Sequence, residues 1–490
     1  MLISTYIGNS FNSFLEALSP VRRYRNRMAK FAYDAIKTDR NSGARGSVGE
    51  TDLGEYELAT LRDMCRDLGQ NNPLVKGILA TEADDVVGTE TQIQAASDDE
   101  TWNSETEAAF KEQCIDKPMD ITNRFNFHQN LWKGFFSYRR DGDCFALNTK
   151  DGIQMCEGSW CGTPSGVTDF DAFEIKNGVA VSKKTGRVIG YYLGKPDKWG
   201  YIRNQSWTKY EAKFVHHIFN TDRISYTRGE PILTSAVRDI RQLFEYKEAE
   251  LVAAKINACL ATFVKVADPS RVPSPYTQGR FSSGSDDKGS KIERITPGMI
   301  KYLNVNEDIA SVVPNRPPAA FDSFMLRMFM IIGRPLCMPL MLVTLDFSGA
   351  TFMNARIAYQ AAQKNYKREQ EFVLRPFART LYYWWLAEAI RRKEISPIDN
   401  AFRCKVICQR WPYVDPFKEA FAHEKELSNK TTTEGTIIES AGGDYRDFCR
   451  KAVREKQIRI EEGYESENTE SGNQETKKKD AEEDNKDGNK

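Results

Sequence analysis

The 490-residue sequence has only four histidines, and its ten cysteines include no CxxC pair, so the ligand spacings of a structural zinc site are missing. It has no GxxxxGK[ST] phosphate loop. The nearest glycine-rich stretch, "GSDDKGSK", lacks both that spacing and the strand-to-helix setting that turns backbone N–H groups toward phosphate. There is no GxSxG elbow, and "HEKEL" around His423 lacks the second histidine of a zinc peptidase. Net charge is missing too: 69 Lys and Arg balance 69 Asp and Glu, so no overall positive field draws the chain onto nucleic acid. Any such contact must be local. No cofactor, metal or catalytic site is expected, although scattered carboxylates meeting in space leave a DNA-processing enzyme open as an alternative.

Long apolar runs are also lacking. The greasiest stretch, "FMLRMFMIIGRPLCMPLMLVTL" at 324–345, holds five of the twelve methionines, but Arg327 and Arg334 interrupt it. Each arginine at mid-bilayer costs about 2.5–3.5 kcal/mol, and a spanning helix needs about 20 apolar residues. Pro335 and Pro339 remove helical hydrogen bonds as well. No membrane span is expected. The first twenty residues show no basic region followed by an apolar core, which argues against a secretory signal and for a reducing cytoplasm.

With 40% hydrophobic residues over this length, a sizeable core is expected, in two or three domains or in one elongated subunit with satellite parts. Arg22, Arg23, Arg25, Arg27 and Lys30 form either a basic arm or an exposed helix face. "YELATLRDMCRDLGQNNPLVKGILATEADDVVG" repeats apolar residues at helical spacing on both sides of "GQNNP", predicting two helices joined by a turn. From about 120 to 225, short apolar runs alternate with turn residues and predict a strand-rich region. There "DGD" at 141–143 reads as a tight turn between strands rather than a metal-binding carboxylate pair. His216 and His217 fall on opposite faces of one strand, one expected buried and the other exposed.

Leu233, Val237, Ile240, Phe244, Leu251, Ala254, Ala258 and Ala261 fall mostly three, four or seven apart and predict a long amphipathic helix. A polar segment rich in proline, glycine and serine follows. In "FMNARIAYQAAQKNYKREQEFVLRPFARTLYYWWLAEAIRRK", Arg356, Gln360, Lys364, Lys367, Arg368, Glu371 and Arg375 line one helix face, and Pro376 should kink the helix or end its first half. Cys404, Val406 and Cys408 share a strand face and read as buried free thiols. The last stretch has almost no apolar residues and predicts disorder.

Several of these segments, in this order, resemble the lambda-like branch of the portal proteins of tailed bacteriophages. "LRDMCRDLGQNNPLVKGILATEADDVVG" is similar to the family's arginine and asparagine segment through Arg66, Asn71, Asn72 and Pro73. "RRDGDCFAL" resembles its hairpin turn, and "GRVIGYYL" a glycine-arginine turn and strand. "FNTDRISYTRGEPILTSAV" resembles its strand-to-helix junction through Arg223, Arg228, Gly229 and Pro231. "TPGMIKYLNVNEDIASVVPNRPPAAFDSF" and the long helix complete a likeness running from about 25 to 420. Two segments depart from the family pattern. "MFMIIGRPLCMPLMLVTLD" stands where the family usually has small residues and a valine-proline pair, and "FMNAR" replaces a serine-rich version.

The resemblance implies an α+β portal fold, with a strand-rich wing, long stem helices, a small α/β clip and a helical C-terminal region. Its map is an N-terminal basic arm (1–50), wing (51–230), stem helix (231–262), clip (263–318), second stem helix (319–334), channel loop (335–353), long wing helix (354–393), wing or crown region (394–452) and disordered tail (453–490). It implies a homo-oligomeric ring of twelve subunits at one capsid vertex of the virion, assembled in the host cytoplasm. Double-stranded DNA would pass through it during packaging and ejection, with no membrane involved. Implied partners are the terminase large subunit, major capsid and scaffold proteins, and head-completion or tail adaptor proteins. Arg334, Arg356, Lys364, Lys367 and Arg368 are the candidates for facing the channel, with Leu345, Asp346, Phe347, Ser348 and Gly349 in its loop. A non-portal ring or gasket protein of a phage tail is the alternative assembly.

Overall fold

The computed structural model describes residues 54–89, 91–164, 172–197, 202, 206–258, 318–409, 411, 416–440 and 445–461, with four short strands between 262 and 311. These residues mix helix and strand, in keeping with an α+β class, and divide into two compact units. One takes in residues 232–349; the other takes residues 50–231 and 350–490. The basic arm and nearly all of the polar segment after 266 lie outside the described residues.

The larger unit opens with helices α1 (Glu55–Asn71) and α2 (Pro73–Val86), broken where the asparagine-proline pair predicts. Asn72 Oδ1 accepts from the N–H groups of Leu74 and Val75, at 3.0 and 3.2 Å. Pro73 occupies the first helical position, where its missing N–H costs nothing. Strand β1 (Gln92–Ala95) precedes α3 (Glu100–Phe110), which Asp99 caps.

Residues 127–141, expected as part of the strand-rich region, form a helix instead, α4 (Phe127–Asp141). A reciprocal cap starts it: Asn126 Oδ1 accepts from Gln129 N–H, and Gln129 Oε1 from Asn126 N–H, both at 3.0 Å. Phe127, Leu131, Phe135 and Tyr138 then bury one stripe at helical spacing. "DGD" is therefore no turn between strands. Asp141 ends α4, Gly142 turns the chain at φ +92°, and Asp143 opens β2 (Asp143–Thr149).

Strand β2 pairs antiparallel with β3 (Gly152–Glu157) on one side and β8 (Val215–Phe219) on the other. A second antiparallel sheet runs in the order β4 (Phe173–Lys176), β5 (Val179–Ser182), β6 (Val188–Gly194), β7 (Trp207–Glu211). Phe145, Leu147 and Val215 of the first sheet meet Val179, Val181, Tyr191 and Leu193 of the second in one apolar core. Burying each such side chain contributes about 1.5–3 kcal/mol.

In the smaller unit the predicted long helix begins with a short turn, Thr234–Ala236, and becomes α5 (Val237–Ala258). Strands β9 (Thr262–Val266) and β12 (Glu307–Ser311) pair antiparallel, and β10 (Gly284–Ser285) pairs with β11 (Lys291–Ile292). Helix α6 (Pro318–Gly333) packs on α5 through Tyr246, whose ring lies 5.7 Å from Phe321 and 4.9 Å from Phe324. The methionine-rich stretch thus splits at its Arg-Pro step into α6, a turn and the short α7 (Leu340–Thr344). No helix among the described residues is long and apolar enough to cross a membrane.

Back in the larger unit, α8 (Phe352–Glu369) runs through a π-helical turn at 370–374 into α9 (Arg375–Arg391). This is how the predicted break at Pro376 is met. In a regular helix the ring would clash with the carbonyl four residues back; the wider turn just before it, closed by Arg375 N–H on Gln370 O, relieves that crowding. Strand β13 (Cys404–Ile407) pairs with β1, with Val406 and Cys408 buried and Cys404 half-buried. Helices α10 (Pro416–Ser428), α11 (Glu434–Ser440) and α12 (Tyr445–Glu461) close the described chain. Helix α12 carries ordered backbone eight residues past 453, where disorder was expected to begin.

Candidate functional site

The most elaborate polar arrangement is a buried ion cluster where α1, α4, β2 and the segment before residue 231 converge. Asp143 is its centre, with a fully buried side chain. Its Oδ1 accepts from Arg62 Nη2 at 2.7 Å and from Arg228 Nη2 at 3.2 Å, and Oδ2 accepts from Arg228 Nε. Burial alone would raise this carboxyl, but Arg228 and then Arg62 hold it far below the usual carboxylate range. Arg62 feels the opposite pressure: desolvation, partly offset by Asp143, lowers it to about 10, and it stays charged.

Arg228 spends its remaining donors on the carbonyls of Gly158, Asn177 and Cys161, at 2.6, 2.7 and 3.0 Å, and lies over the Phe145 ring. One guanidinium thereby ties β2 to the segments around Gly158, Cys161 and Asn177, and Arg62 brings α1 to the same carboxylate. Next door, Asp141 accepts from Arg66 Nη2 at 2.6 Å and Arg140 Nε at 2.7 Å, and Arg66 also meets Glu157 at 2.9 Å. Arg66 and Arg228, quoted above as separate family-like motifs, belong to one network.

Gly229 and Pro231 complete its wall. A Cβ on Gly142 would lie 2.6 Å from Gly229 O and 2.7 Å from Pro231 N, so two backbones touch where only hydrogen fits. Asn71 is exposed and donates to Asp67 Oδ1 at 2.6 Å, while Arg223 is exposed and stacks on Tyr226. Those two stand apart from the cluster.

Neither histidine of β8 is exposed. His217 stacks on Phe145 and Phe219 with ring centroids 4.3 and 3.9 Å away, and its Nε2 lies 3.3 Å from Asp143 Oδ2. His216 stacks on Phe377 of α9 and its Nδ1 meets Thr380 Oγ1 at 3.0 Å. The expectation that one of the two would be exposed is not met, because α9 covers the His216 face and aromatic rings flank His217. Burial pushes both histidines down to about 4, so each is neutral at pH 7.

A second buried group joins α2, α4 and α8. Arg139 Nε donates to Glu82 Oε2 at 2.8 Å and Nη1 lies 3.7 Å from Glu369, whose Oε2 accepts from Tyr138 OH at 3.2 Å. Arg368 Nη2 reaches back to Asn365 Oδ1 at 2.6 Å and Glu369 Oε1 at 3.1 Å. It serves here as a half-exposed counter-ion to a buried carboxylate. Arg356 is half-buried, 3.5 Å from Glu419. Lys364 and Lys367 are exposed on α8. Arg334 and all of Leu345, Asp346, Phe347, Ser348 and Gly349 are exposed in the other unit, where Leu345 takes a left-handed φ of +53° and ends α7.

Among the described residues no group of three or more His, Cys, Asp or Glu could hold a metal ion. The residues that sequence reading missed are Arg62, Asp143, Glu82, Arg139 and Glu369. The contacts that join them across the fold link residues 57 to 231 positions apart, beyond any local motif.

The linkage of the titrating groups has a definite sign. Each histidine is lowered from 6.5 to about 4, so the native state binds fewer protons than the unfolded chain in that window and stability falls on acidification through it. Asp85, bonded to Tyr359 OH at 3.4 Å, is raised by burial from 3.8 to about 6, and its contribution has the opposite sign. Urea unfolding should therefore show wild-type stability dropping between pH 7 and 4.5, and dropping more steeply in Asp85→Asn. A shallower drop in the variant would refute this assignment.

The charges of both clusters are locked against one another, so among the described residues these groups hold the fold together. The chain belongs to the lambda family of phage portal proteins: the model of that family, "Phage portal protein, lambda family", matches residues 37–370, a shorter span than the 25–420 of the resemblance. A relative from Halomonas phage phiHAP-1, described as "Probable portal protein", is 22% identical over 447 residues, covering 86% of this chain and 85% of its own. Among solved structures, the neck of a native GTA particle computed with C12 symmetry aligns with TM-score 0.44 and 11% identity, covering 77% of this chain and 93% of that one. The neck of an empty GTA particle computed with C6 symmetry aligns with TM-score 0.41 and 11% identity, covering 78% and 93%.

Proposed function

We propose that copies of this chain close into a ring, twelve in number, at one capsid vertex, and that double-stranded DNA threads the opening during packaging and ejection. The observation that carries this reading is the lambda-family portal match over residues 37–370. A ring needs two different complementary faces on each subunit. Helix α6 supplies apolar surface for one, with Phe324, Leu326, Met330 and Ile331 exposed on a single chain. The methionines there can adapt to a neighbour's shape.

Sliding DNA calls for few tight phosphate contacts, since each adds about 0.9 to the salt slope of binding and a ring multiplies it. Lys364 and Lys367 are the basic positions of α8 left for such a role once Arg356 and Arg368 are spent on Glu419 and Glu369. Arg334 and the loop 345–349 are the corresponding positions in the other unit. The terminase large subunit would dock on the 263–318 module, and head-completion or tail adaptor proteins would follow it. Capsid and scaffold proteins would hold the ring in the virion after assembly in the host cytoplasm.

Negative-stain images of the purified protein should show rings with a central opening, twelve subunits around. A chain that stays monomeric at high concentration would end this reading. Lys364→Ala with Lys367→Ala should leave the rings intact and change only DNA passage, scored as packaged length.

A further inference from the structure

The buried carboxylates of the two clusters are each answered by arginine: Asp141 and Asp143 meet Arg66, Arg140, Arg62 and Arg228, and Glu82 and Glu369 meet Arg139. Asp85, near the end of α2, breaks that pattern. Its side chain is half-buried, and among the described residues neither it nor its exposed neighbour Asp84 is paired with a Lys or Arg.

What surrounds Asp85 instead is aromatic. Tyr359 OH of α8 donates to its Oδ1 at 3.4 Å. Tyr366, two helical turns further on, is wholly buried and brings its hydroxyl beside the same carboxyl, yet that hydroxyl completes no hydrogen bond of normal geometry. Trp411 Nε1 donates to the Asp85 backbone carbonyl at 2.9 Å, and its ring tilts against Tyr366 with centroids 5.9 Å apart. Trp132 of α4 donates to Asp84 Oδ1 at 2.8 Å. Tyr359, Trp411 and Trp132 are only half-buried, so the site meets solvent.

The charge balance there is unfinished. Burial raises the Asp85 carboxyl to about 6, Asp84 adds to the rise, and the two tyrosines only partly oppose it. A cation seated beside it would act in the other direction. The neighbours select the kind of cation. A metal ion takes several oxygen, nitrogen or sulfur ligands, and among the described residues no group of three or more His, Cys, Asp or Glu could supply them. A nitrogen cation needs a carboxylate to accept its N–H groups and aromatic rings against its carbon atoms, which is the set present.

We propose that Asp85, with Asp84, Tyr359, Tyr366 and Trp411, forms a binding site for an organic nitrogen cation, a guanidinium or primary ammonium group. The group is carried either by an Arg or Lys side chain of a neighbouring copy or by a free small molecule. Its N–H groups donate to the Asp85 carboxylate and to the Tyr366 hydroxyl oxygen. The site is complete within one chain, and only the neighbouring-copy source rests on the ring reading.

The test uses the full chain at about pH 8, where Asp85 is ionised, with methylguanidinium as the probe. Saturation-transfer NMR on the probe's methyl protons reads binding, mass photometry reads the fraction of rings, and circular dichroism checks the fold of Asp85→Asn. With a free cation as the natural ligand, wild type binds the probe saturably, Asp85→Asn weakens binding by at least about tenfold, and the ring fraction is unchanged. With a neighbour's side chain as the ligand, wild-type rings exclude the probe, and Asp85→Asn lowers the ring fraction at equal concentration. Glu105→Gln, which removes an exposed acid of α3, should change neither readout. An Asp85→Asn variant that matches wild type in both probe binding and ring fraction overturns the proposal. Should wild type form no rings, the portal reading fails separately and the probe decides alone, absence of saturable binding then overturning the site.

Discussion

Asp143→Ala is expected to destabilise the larger unit by about 3–5 kcal/mol, the cost of leaving buried charges without their partner. The substitution strands Arg62 and Arg228, both almost wholly buried, and removes the anion that the His217 ring faces. Most single domains have only about 5–15 kcal/mol to lose. Urea unfolding of the variant should shift by an amount comparable to that loss, and soluble yield should fall with it. Arg223→Ala, an exposed arginine stacked on one tyrosine, is the control and should stay within about 0.5 kcal/mol. Equal midpoints for Asp143→Ala and wild type would show that the cluster contributes no net stability.

The second large effect is expected at the backbone contact beside that cluster. Gly142→Ala adds a Cβ at 2.6 Å from both Gly229 O and the Glu230 carbonyl carbon, at a φ of +92° that side chains rarely adopt. Backbone strain and overpacking, each about 1–3 kcal/mol, act together there. Gly229→Ala meets the same contact from the other side, its Cβ 2.1 Å from Gly142 O. Either change should cost about 3 kcal/mol or more and lower the melting temperature accordingly. The double variant should cost less than the sum, because both additions crowd the same contact. Gly349→Ala, with open space around it, should melt with wild type. An unshifted melt for Gly142→Ala would mean that the two segments separate freely.

These two experiments fall on residues whose importance was only partly legible in the sequence. Asn72 and Pro73 announce a helix start through chemistry confined to three neighbouring residues, and the break came where that chemistry requires it. Helix α4 was misread because its aromatic residues, crowded in short runs, imitate strand spacing. The local clue was the asparagine and glutamine of its cap, three apart, ahead of an apolar stripe. The charge cluster had no local clue. Arg62, Asp143 and Arg228 are ordinary charged residues until three distant segments bring them together, and the burial that makes their charges consequential exists only in the fold. The same holds for the two histidines of β8, one of which was expected to be exposed: nothing in that strand announces that α9 will cover His216.

The lambda-family likeness carried further than spacing because it gathers "RDMCRD", "RRDGD" and "YTRGEP" in their order along the chain. Their common purpose is visible only in three dimensions, as one polar knot seen from three sides.

The π-helical turn at 370–374 acts on the rod formed by α8 and α9 as a phase adjuster. A residue added to an α-helix turns everything beyond it by about 100°. Without that offset, the buried stripe of Ala362 and Tyr366 would drift steadily around the axis, and Leu381 and Leu386 would emerge on another flank. The extra residue resets the rotation, so one side of the rod stays against the body of the unit from Ala362 to Ala389. Shortening the turn by one residue would straighten the hydrogen bonding locally and disengage one half of the rod from its bed.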